Sequence, residues 1–544
     1  MVPTAFMQLD EMPKTPNGKT DLKALPQPKL DLENEAAETE LEQKLFDIAS
    51  ELSNTDEFGV TDDLYAIGFT SLLLMKFNAI IYEDFGVNLD IVELLNNPTI
   101  RNIATSIGNN EESAIDLNVL IESSKDIEYY PLTSNQLGVY YECDQNPDEA
   151  QYNLPAMIRF DKDIDALKLK EAIIKTINAY PYLKTRIVTH DGQLMLKRND
   201  SIEIDEIPIV EVDQITTEEI EKENVVRFEL QENQLFRAKI YNTSTETVLF
   251  FDMHHIITDG ESLDNLFNNI ALAYEGNEIE KEAIDGYVNV MIEKLDESSE
   301  EFIASEKYFH DQLTQEVDST ILTPNLNGNV EEGKLKSLYK DINVDLIKEF
   351  CSEMRISPNV LFMAGTILTL NKYTFSDKTL LTTIFNGRSN PNYFNTQAFL
   401  VKTIPILSIN EDRNITVRQL LTQMDEIWKD SIKHSNYPYT KLAEEFQLKP
   451  EFMYTYNNLD SEKIQISGKT YEVSYLESLE TNYKITLDVN ESEDNLQLFI
   501  SYNDQLYSED YIKTFLNSIL NTLAQFMEND IEKLLINEIE LNRD

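Results

Sequence analysis

The strongest chemical signal in the sequence is a pair of adjacent histidines, His254 and His255, followed by Asp259 and Gly260. The chain has 5 histidines, and these two come directly after TVLFFDM (residues 247–253), a β-branched and aromatic run that predicts a buried strand. A histidine at the end of such a strand can be kept neutral and directed into a cleft. Its imidazole could then accept a proton from an attacking nucleophile near pH 7. The pattern HHxxxDG therefore favours an acid–base or positioning role.

A structural role and a metal site are the alternatives for this histidine pair. Neighbouring residues on a strand point to opposite faces, so His254 and His255 cannot easily chelate one ion. The sequence contains neither HExxH nor a cysteine cluster, and its 2 cysteines, Cys143 and Cys351, are far apart. We expect no metal. The other histidines, His190, His310 and His434, are isolated and are interpreted as surface or packing residues.

The elements that position these residues fall into a small helical region and a large mixed region. With 544 residues the chain is long enough for several domains. Residues 1–28 are rich in proline, residues 29–39 form an acidic linker, and residues 40–107 carry apolar residues at helical spacing, which predicts a small helical bundle. Residues 108–126 are predicted to be a second linker.

Beyond residue 126, strand-like runs alternate with helical ones. The strand-like runs are 247–253, 378–385 and 496–502, and the helical candidates are Leu167–Ala179, Ser262–Tyr274, Pro358–Lys372 and Asp510–Met527. This mixture predicts an α/β region of two lobes, which we place at 127–300 and 301–544.

Composition excludes several classes of function. The chain has 45 Lys+Arg against 98 Asp+Glu, a formal net charge of −53. Binding to a nucleic-acid backbone requires a basic face, so it is not expected. No apolar run approaches the roughly 18 residues of a membrane span, and the N-terminus lacks the pattern of a signal peptide. We expect a cytoplasmic protein without a membrane span.

In its context, the HHxxxDG pattern resembles the condensation domain of nonribosomal peptide synthetases, a member of the chloramphenicol-acetyltransferase-like superfamily. Further stretches resemble family motifs in the family's order: Leu132–Gln136, Tyr152–Pro155, Pro181–Arg186, Asn386–Arg388, Phe399–Thr403 and Asn436–Tyr439. The resemblance covers residues 127–541. Lys184 stands where Arg is commoner, Lys402 stands where Asn is frequent, and Leu400 is an extra residue before Val401.

The resemblance implies amide-bond formation in a tunnel between the two lobes. An amine on a downstream carrier would attack a donor acyl thioester on an upstream carrier. His255 would lie nearest the reacting atoms, either accepting the proton or positioning the amine, whereas His254 is expected to pack. Asp259 is expected to pair with Arg388 across the lobes; the alternative is a plain turn residue before Gly260.

The segment DLYAIGFTSL (residues 63–72) resembles the attachment motif of a peptidyl carrier domain. The resemblance implies that Ser71 carries 4′-phosphopantetheine, installed from coenzyme A by a phosphopantetheinyl transferase. Ser71 opens a predicted helix whose N-terminal amides suit a phosphodiester. The alternative is that Ser71 is only an N-cap. Phe69 and Thr70 depart from the family pattern and put the choice of partner in doubt.

The segment Leu9–Asp21 resembles the last motif of adenylation domains. We expect residues 1–28 to be the remnant of such a domain, in which Lys19 is not a working site. The implied partners are an upstream adenylation domain and a downstream carrier/adenylation module.

Three alternatives to condensation remain. An epimerisation domain shares the superfamily fold and HHxxxDG; the motif set favours condensation over it. A heterocyclisation domain is disfavoured because its DxxxxD pattern is absent at 254–260. A catalytically silent recruitment module is expected to have a damaged histidine motif, and here both His254 and His255 are intact.

Overall fold

The computed structural model describes residues 35–541 of the chain with gaps. The gaps are residues 54, 57, 68, 70–72, 75–76, 79, 82–88, 90–93, 95–97, 110–116, 147–149, 199, 201–203, 205, 314–319, 329–332, 389, 450, 459–462, 477–482 and 493–494. The chain forms two compact units, Met1–Leu117 with Ser389–Pro391, and Asn118–Arg388 with Asn392–Asp544.

The small unit is helical in its described residues. It contains α1 (Glu40–Ser53), a 3-10 helix (Leu64–Ile67), helical residues at 73–74, 77–78 and 80–81, and α2 (Ile100–Asn109). Apolar residues at helical spacing on these elements form one core, including Leu45, Leu64, Leu74, Phe77 and Ile100. The burial of these side chains stabilises a bundle of this size.

The large unit alternates helices and strands. Its first part contains α3 (Leu117–Ser124), β1 (Tyr129–Pro131), α4 (Ser134–Gln145), β2 (Asn153–Asp161), α5 (Ala166–Ala179), a 3-10 helix (Pro181–Lys184), β3 (Arg186–His190), β4 (Gln193–Lys197), β5 (Ile209–Glu211), α6 (Thr217–Asn224), β6 (Phe236–Asn242), β7 (Glu246–His254), a 3-10 helix (His255–Ile257), α7 (Gly260–Glu275), α8 (Gly286–Asp296) and α9 (Glu300–Gln312).

Its second part begins at the next strand. The elements are β8 (Leu335–Ile342), α10 (Val344–Met354), α11 (Pro358–Thr374), β9 (Lys378–Phe385), a 3-10 helix (Pro391–Tyr393), β10 (Lys402–Ile409), α12 (Val417–Lys433), α13 (Tyr439–Phe446), β11 (Phe452–Asn458), β12 (Lys463–Ile466), β13 (Lys469–Tyr475), β14 (Ile485–Glu491), β15 (Leu496–Asn503) and α14 (Glu509–Glu528).

Two six-stranded sheets form the cores of two lobes in the large unit. The first has the order β12-β13-β2-β7-β6-β5, and the second has the order β10-β9-β11-β14-β15-β8. β7 is buried over nearly its whole length and pairs antiparallel with β2 and β6, which is consistent with the apolar run from Val248 to Phe251. α5 and α7 pack together beside the first sheet, and α11 is buried beside the second.

The lobe boundary placed at residue 300/301 does not describe every segment. β12 and β13 belong by sequence to the second lobe but extend the sheet of the first, where Val473 pairs with Ile158 and Tyr475 with Ala156. Ile464 and Val473 are buried in the first lobe's core. Alternation of apolar and polar residues predicts such strands, but it does not indicate which sheet they join.

The predicted linker at 108–126 contains a helix. Residues Leu117–Ser124 form α3, and the Tyr130 hydroxyl donates a hydrogen bond to the carbonyl of Ser124. Leu117, Leu120 and Ile121 are half-buried on this helix, whereas Val119 is exposed. In contrast, the strands and helices predicted beyond residue 126 are present with ends shifted by at most two residues. Within the described part of the chain, no helix is both long and apolar enough to cross a membrane.

Candidate active site

The histidine pair lies where β7 ends. His254 is the last residue of β7 and faces Asn153 on β2, and His255 opens the 3-10 helix that follows. The backbone amide of His255 donates to the carbonyl of Tyr152 at 2.8 Å. The strand pairing therefore fixes the backbone on both sides of the pair.

His254 is locked in one tautomer. Its Nδ1 accepts a hydrogen bond from the Ile256 amide at 3.1 Å, so the proton of the neutral ring is on Nε2, which lies 3.7 Å from Cys143 Sγ. Burial, with smaller contributions from His255, Arg237 and other nearby cations, lowers the pKa of His254 to about 3. Because its free lone pair is already used, His254 cannot accept a proton from a substrate.

His255 is half-buried, and its Nδ1 is buried. The Nε2 edge is consequently the one that can meet a substrate. The ring packs edge-to-face against Phe399, with centroids 4.8 Å apart, and against Tyr152 at 6.5 Å. Burial lowers the pKa of His255 below its usual value of 6.5, and Asp259 partly opposes this effect. The imidazole is therefore neutral near pH 7.

Asp259 and Arg388 form a buried bidentate ion pair. Arg388 Nη1 donates to Asp259 Oδ2 and Nη2 donates to Oδ1, both at 3.0 Å. The side chains of Arg388 and Asp259 are 1% and 3% exposed, respectively. Asp259 is also the N-cap of α7, accepting from the Ser262 amide at 2.9 Å. Gly260, the first residue of α7, is exposed.

The Asp259 carboxylate also holds the loop between β9 and β10, residues 386–401, against the first lobe. The amides of Leu400 and Val401 donate to Asp259 Oδ2 at 2.9 and 3.1 Å. Ser262 Oγ donates to the carbonyl of Ala398 at 2.8 Å. These contacts hold Phe399 against His255.

The structure thus brings together His254, His255, Asp259, Gly260 and Arg388. The sequence-based argument gave no role to Phe399 or to Gln136, although both lie in motifs that it quoted. Gln136 Nε2 donates to the carbonyl of Ile256 at 2.8 Å and so ties α4 to the 3-10 helix of the histidines. A buried glutamine is an unusual residue, but sequence alone does not reveal its partner.

Ser71 lies outside the described residues. The described residues around it are Phe69, which is buried and whose amide donates to the carbonyl of Leu64 at 3.0 Å, and the helical Leu73 and Leu74. Leu74 is buried in the same core as Phe69. Described residues on either side of position 71 therefore pack in the core of the small unit.

Family models match both units. Residues 126–539 match the condensation domain, and residues 43–107 match the phosphopantetheine attachment site. The first match covers more than half of the chain, so the chain belongs to the condensation domain family. Its smaller domain is a phosphopantetheine attachment domain, and the corresponding cofactor is covalently bound 4′-phosphopantetheine.

Similar curated proteins are synthases many times longer than this chain. Bacitracin synthase 3 of Bacillus licheniformis is 24% identical over 545 residues, which cover 96% of this chain and 8% of that protein. Surfactin synthase subunit 2 of Bacillus subtilis (strain 168) is 26% identical over 549 residues, which cover 97% of this chain and 15% of that protein.

Solved structures show the same fold at low sequence identity. The starter condensation domain of the rhizomide synthetase has a TM-score of 0.64 at 13% identity, covering 76% of this chain and 100% of that one. The X-domain from teicoplanin biosynthesis has a TM-score of 0.65 at 15% identity, covering 76% and 98%. The predicted fold class, a helical carrier followed by a two-lobed condensation domain, is confirmed.

Proposed function

We propose that this chain forms amide bonds in nonribosomal peptide synthesis. The carrier domain presents a donor aminoacyl or peptidyl thioester, and the condensation domain joins it to the amine of an aminoacyl group on a downstream carrier. The amine nitrogen bonds to the thioester carbonyl carbon and the C–S bond breaks. The proton lost by the amine passes, through His255 or solvent, to the released thiolate.

The observation that carries this proposal is the half-buried, neutral imidazole of His255 beside a fixed backbone. Its lone pair can accept a proton from the amine or a hydrogen bond that orients it. Because a thioester is already activated, orientation and one proton acceptor account for much of the required rate enhancement. We assign His255 this role, His254 the role of a neutral packing partner, and the Asp259–Arg388 pair that of holding the surrounding loop.

We assign the attachment of 4′-phosphopantetheine to Ser71. When bound, the group supplies a thiol on a long arm that holds the acyl chain as a thioester. The proposed partners are a phosphopantetheinyl transferase with coenzyme A, an upstream adenylation domain, and a downstream carrier/adenylation module. The carrier precedes the condensation domain in the chain, which favours its cargo as the donor.

The first test is the intact mass of the chain after incubation with coenzyme A and a promiscuous phosphopantetheinyl transferase. We expect one added arm on the wild-type chain and none on Ser71→Ala. An arm on both proteins would place the attachment elsewhere, and an arm on neither would leave Ser71 as a helix cap.

The second test is amide formation from the loaded donor and an acceptor carrier, with His255→Ala compared with wild type at equal folded content. We expect a loss of at least about 100-fold in product formation. A wild-type chain that makes no amide but still binds its partners, with His255→Ala unchanged, would favour the recruitment alternative. Inversion of the α-carbon of the loaded aminoacyl group would favour epimerisation.

A further inference from the structure

A carboxylate with no cationic partner among the described residues lies on α4, the helix that precedes β2 in the chain. Glu142 is half-buried on α4, and within the described ranges it forms no ion pair. Its Oε2 accepts a hydrogen bond of 2.5 Å from the Tyr152 hydroxyl. In a chain of net charge −53, a carboxylate in this position adds to electrostatic repulsion unless a cation binds to it.

Tyr152 connects Glu142 to the candidate active site. Its hydroxyl bonds Glu142, its ring lies edge-to-face with the His255 ring at 6.5 Å, and its carbonyl accepts the His255 amide at 2.8 Å. A group bound at Glu142 is therefore separated from the His255 imidazole by one aromatic side chain.

Two tyrosines of the second lobe, Tyr483 and Tyr439, belong to the same neighbourhood as Glu142. Burial raises the pKa of the Tyr483 phenol above its usual value, and the nearby Glu142 adds to the rise. Tyr439, on α13, is in turn near Tyr483. The pKa of Tyr152 is also raised, mainly by burial and then by the charge of Glu142. These phenols are therefore neutral at physiological pH. A half-buried carboxylate beside neutral phenol groups can bind an organic ammonium by charge and by hydrogen bonds.

The other buried carboxylates near His255 are already paired. Asp259 accepts both guanidinium nitrogens of Arg388. Asp252, two residues before His254, lies 3.1 Å from Arg237 Nε. Glu142 is the remaining candidate among the described residues around the histidines.

We propose that Glu142, held by Tyr152, is the subsite that receives the acceptor amine as its ammonium ion. This inference rests on the proposed function and names the part of the site that recognises the acceptor. An α-amino group has a pKa of about 8, so most of the acceptor is charged at pH 7. Glu142 binds this charged form as the acceptor enters. The nitrogen then leaves Glu142 and loses one proton to solvent or to the neutral His255 imidazole. The free amine attacks the thioester carbonyl carbon, and the donor thiolate departs.

The test is a binding measurement that needs no turnover. Two stable ligands are titrated calorimetrically into the full chain: the amide-linked analogue leucyl-aminopantetheine, and 4-methylpentanoyl-aminopantetheine, which lacks only the amino group. At pH 6.5 we expect wild type to bind the amine at least about 10-fold more tightly. At pH 9.5, where the amine is uncharged, this preference should shrink.

Two variants and one control decide the outcome. Glu142→Gln should abolish the preference at pH 6.5 while its affinity for the ligand without the amine is unchanged, and Tyr152→Phe should reduce the preference several-fold. Asp144→Asn removes a charge from an exposed position on the same helix and should behave as wild type. Equal preference in wild type and Glu142→Gln, or no preference in wild type, would overturn the subsite.

The amide assay on the same proteins separates this inference from the proposed function. If wild type forms amide and Glu142→Gln binds both ligands as wild type does, the subsite is wrong and the function stands. If wild type forms no amide while the Glu142-dependent preference is present, the subsite stands and the function is wrong. If both are correct, Glu142→Gln should raise the KM for the acceptor by about the same factor as it weakens binding.

Discussion

The carboxylate of Asp259 accepts five hydrogen bonds in a site that is closed to water. Two come from Arg388, and the others come from the amides of Ser262, Leu400 and Val401. Burial alone would raise the pKa of Asp259, but Arg388 and these amides outweigh it, so the pKa is below its usual value. The pair can stabilise the fold because both Asp259 oxygens and both terminal nitrogens of Arg388 are hydrogen-bonded.

We predict that Asp259→Asn destabilises the large unit by about 3–5 kcal/mol, because it leaves the Arg388 guanidinium buried without a counter-charge. The free energy of unfolding measures this loss. It is obtained by unfolding the protein in urea and monitoring the fluorescence of Trp428, the single tryptophan of the chain. Glu261→Gln is the control, because Glu261 lies two residues after Asp259 and is exposed. This variant should lose less than about 0.5 kcal/mol. Equal costs for the two variants would mean that the pair adds no stability.

At the scale of elements, the loop at 386–401 connects the second lobe's sheet to the histidines of the first. Its entry from β9 depends on Gly387, which has a φ of +72° and approaches the backbone of Leu400 closely. A Cβ at this position would lie 2.2 Å from the Leu400 carbonyl oxygen. The loop can therefore adopt this path only with glycine at position 387.

We predict that Gly387→Ala both destabilises the large unit by more than about 2 kcal/mol and lowers kcat for amide formation, since Leu400 must move and Phe399 with it. Gly192→Ala is the matched control. Gly192 has a φ of +78° but no atom within 4 Å of the added Cβ, so it should lose about 1 kcal/mol from backbone strain alone and keep its kcat. A Gly387→Ala protein with wild-type kcat would contradict the positioning role of this loop.

The elements themselves were largely predictable from the sequence, whereas their long-range pairing was not. The aromatic and β-branched run of β7 and the helical run of α7 indicate their own conformations. Asp259 and Arg388 are 129 residues apart, and no local pattern brings them together; their pairing was expected only from the family resemblance. Glu142 was not singled out because a glutamate on a helix is usually solvated.

At the scale of the whole molecule, the excess of acidic groups opposes folding in two ways. The formal charge of −53 produces general repulsion, which salt screens. In addition, folding buries some carboxyl groups in surroundings that disfavour their charged form. Burial raises the pKa of Glu282 to about 8, against a hydrogen bond from the Gln397 amide that acts in the opposite direction. Burial likewise raises the pKa of Asp488 to about 6.

We predict from these two groups, and mainly from Glu282, that the stability of the large unit falls as the pH rises above 7. Both carboxyls have higher pKa values in the folded chain than in the unfolded chain, where they titrate near 4. Through these two groups, folding binds protons between about pH 4 and pH 8. The neutral histidines His254 and His255 act in the opposite direction below about pH 6.5, because folding lowers their pKa values. Above that range the free energy of unfolding should decrease, by roughly 1–2 kcal/mol from pH 7 to pH 8.5 at constant high salt.

The double variant Glu282→Gln, Asp488→Asn isolates the buried carboxyls from the general repulsion. Its amides cannot ionise, so the pH dependence between 7 and 8.5 should flatten, whereas a variant at the exposed Glu261 should retain the wild-type slope. Raising the salt concentration at pH 8.5 should stabilise the wild-type chain and the double variant alike, because it screens only the surface charges. A slope that persists in the double variant but disappears in salt would assign the pH dependence to the surface charge of the whole molecule.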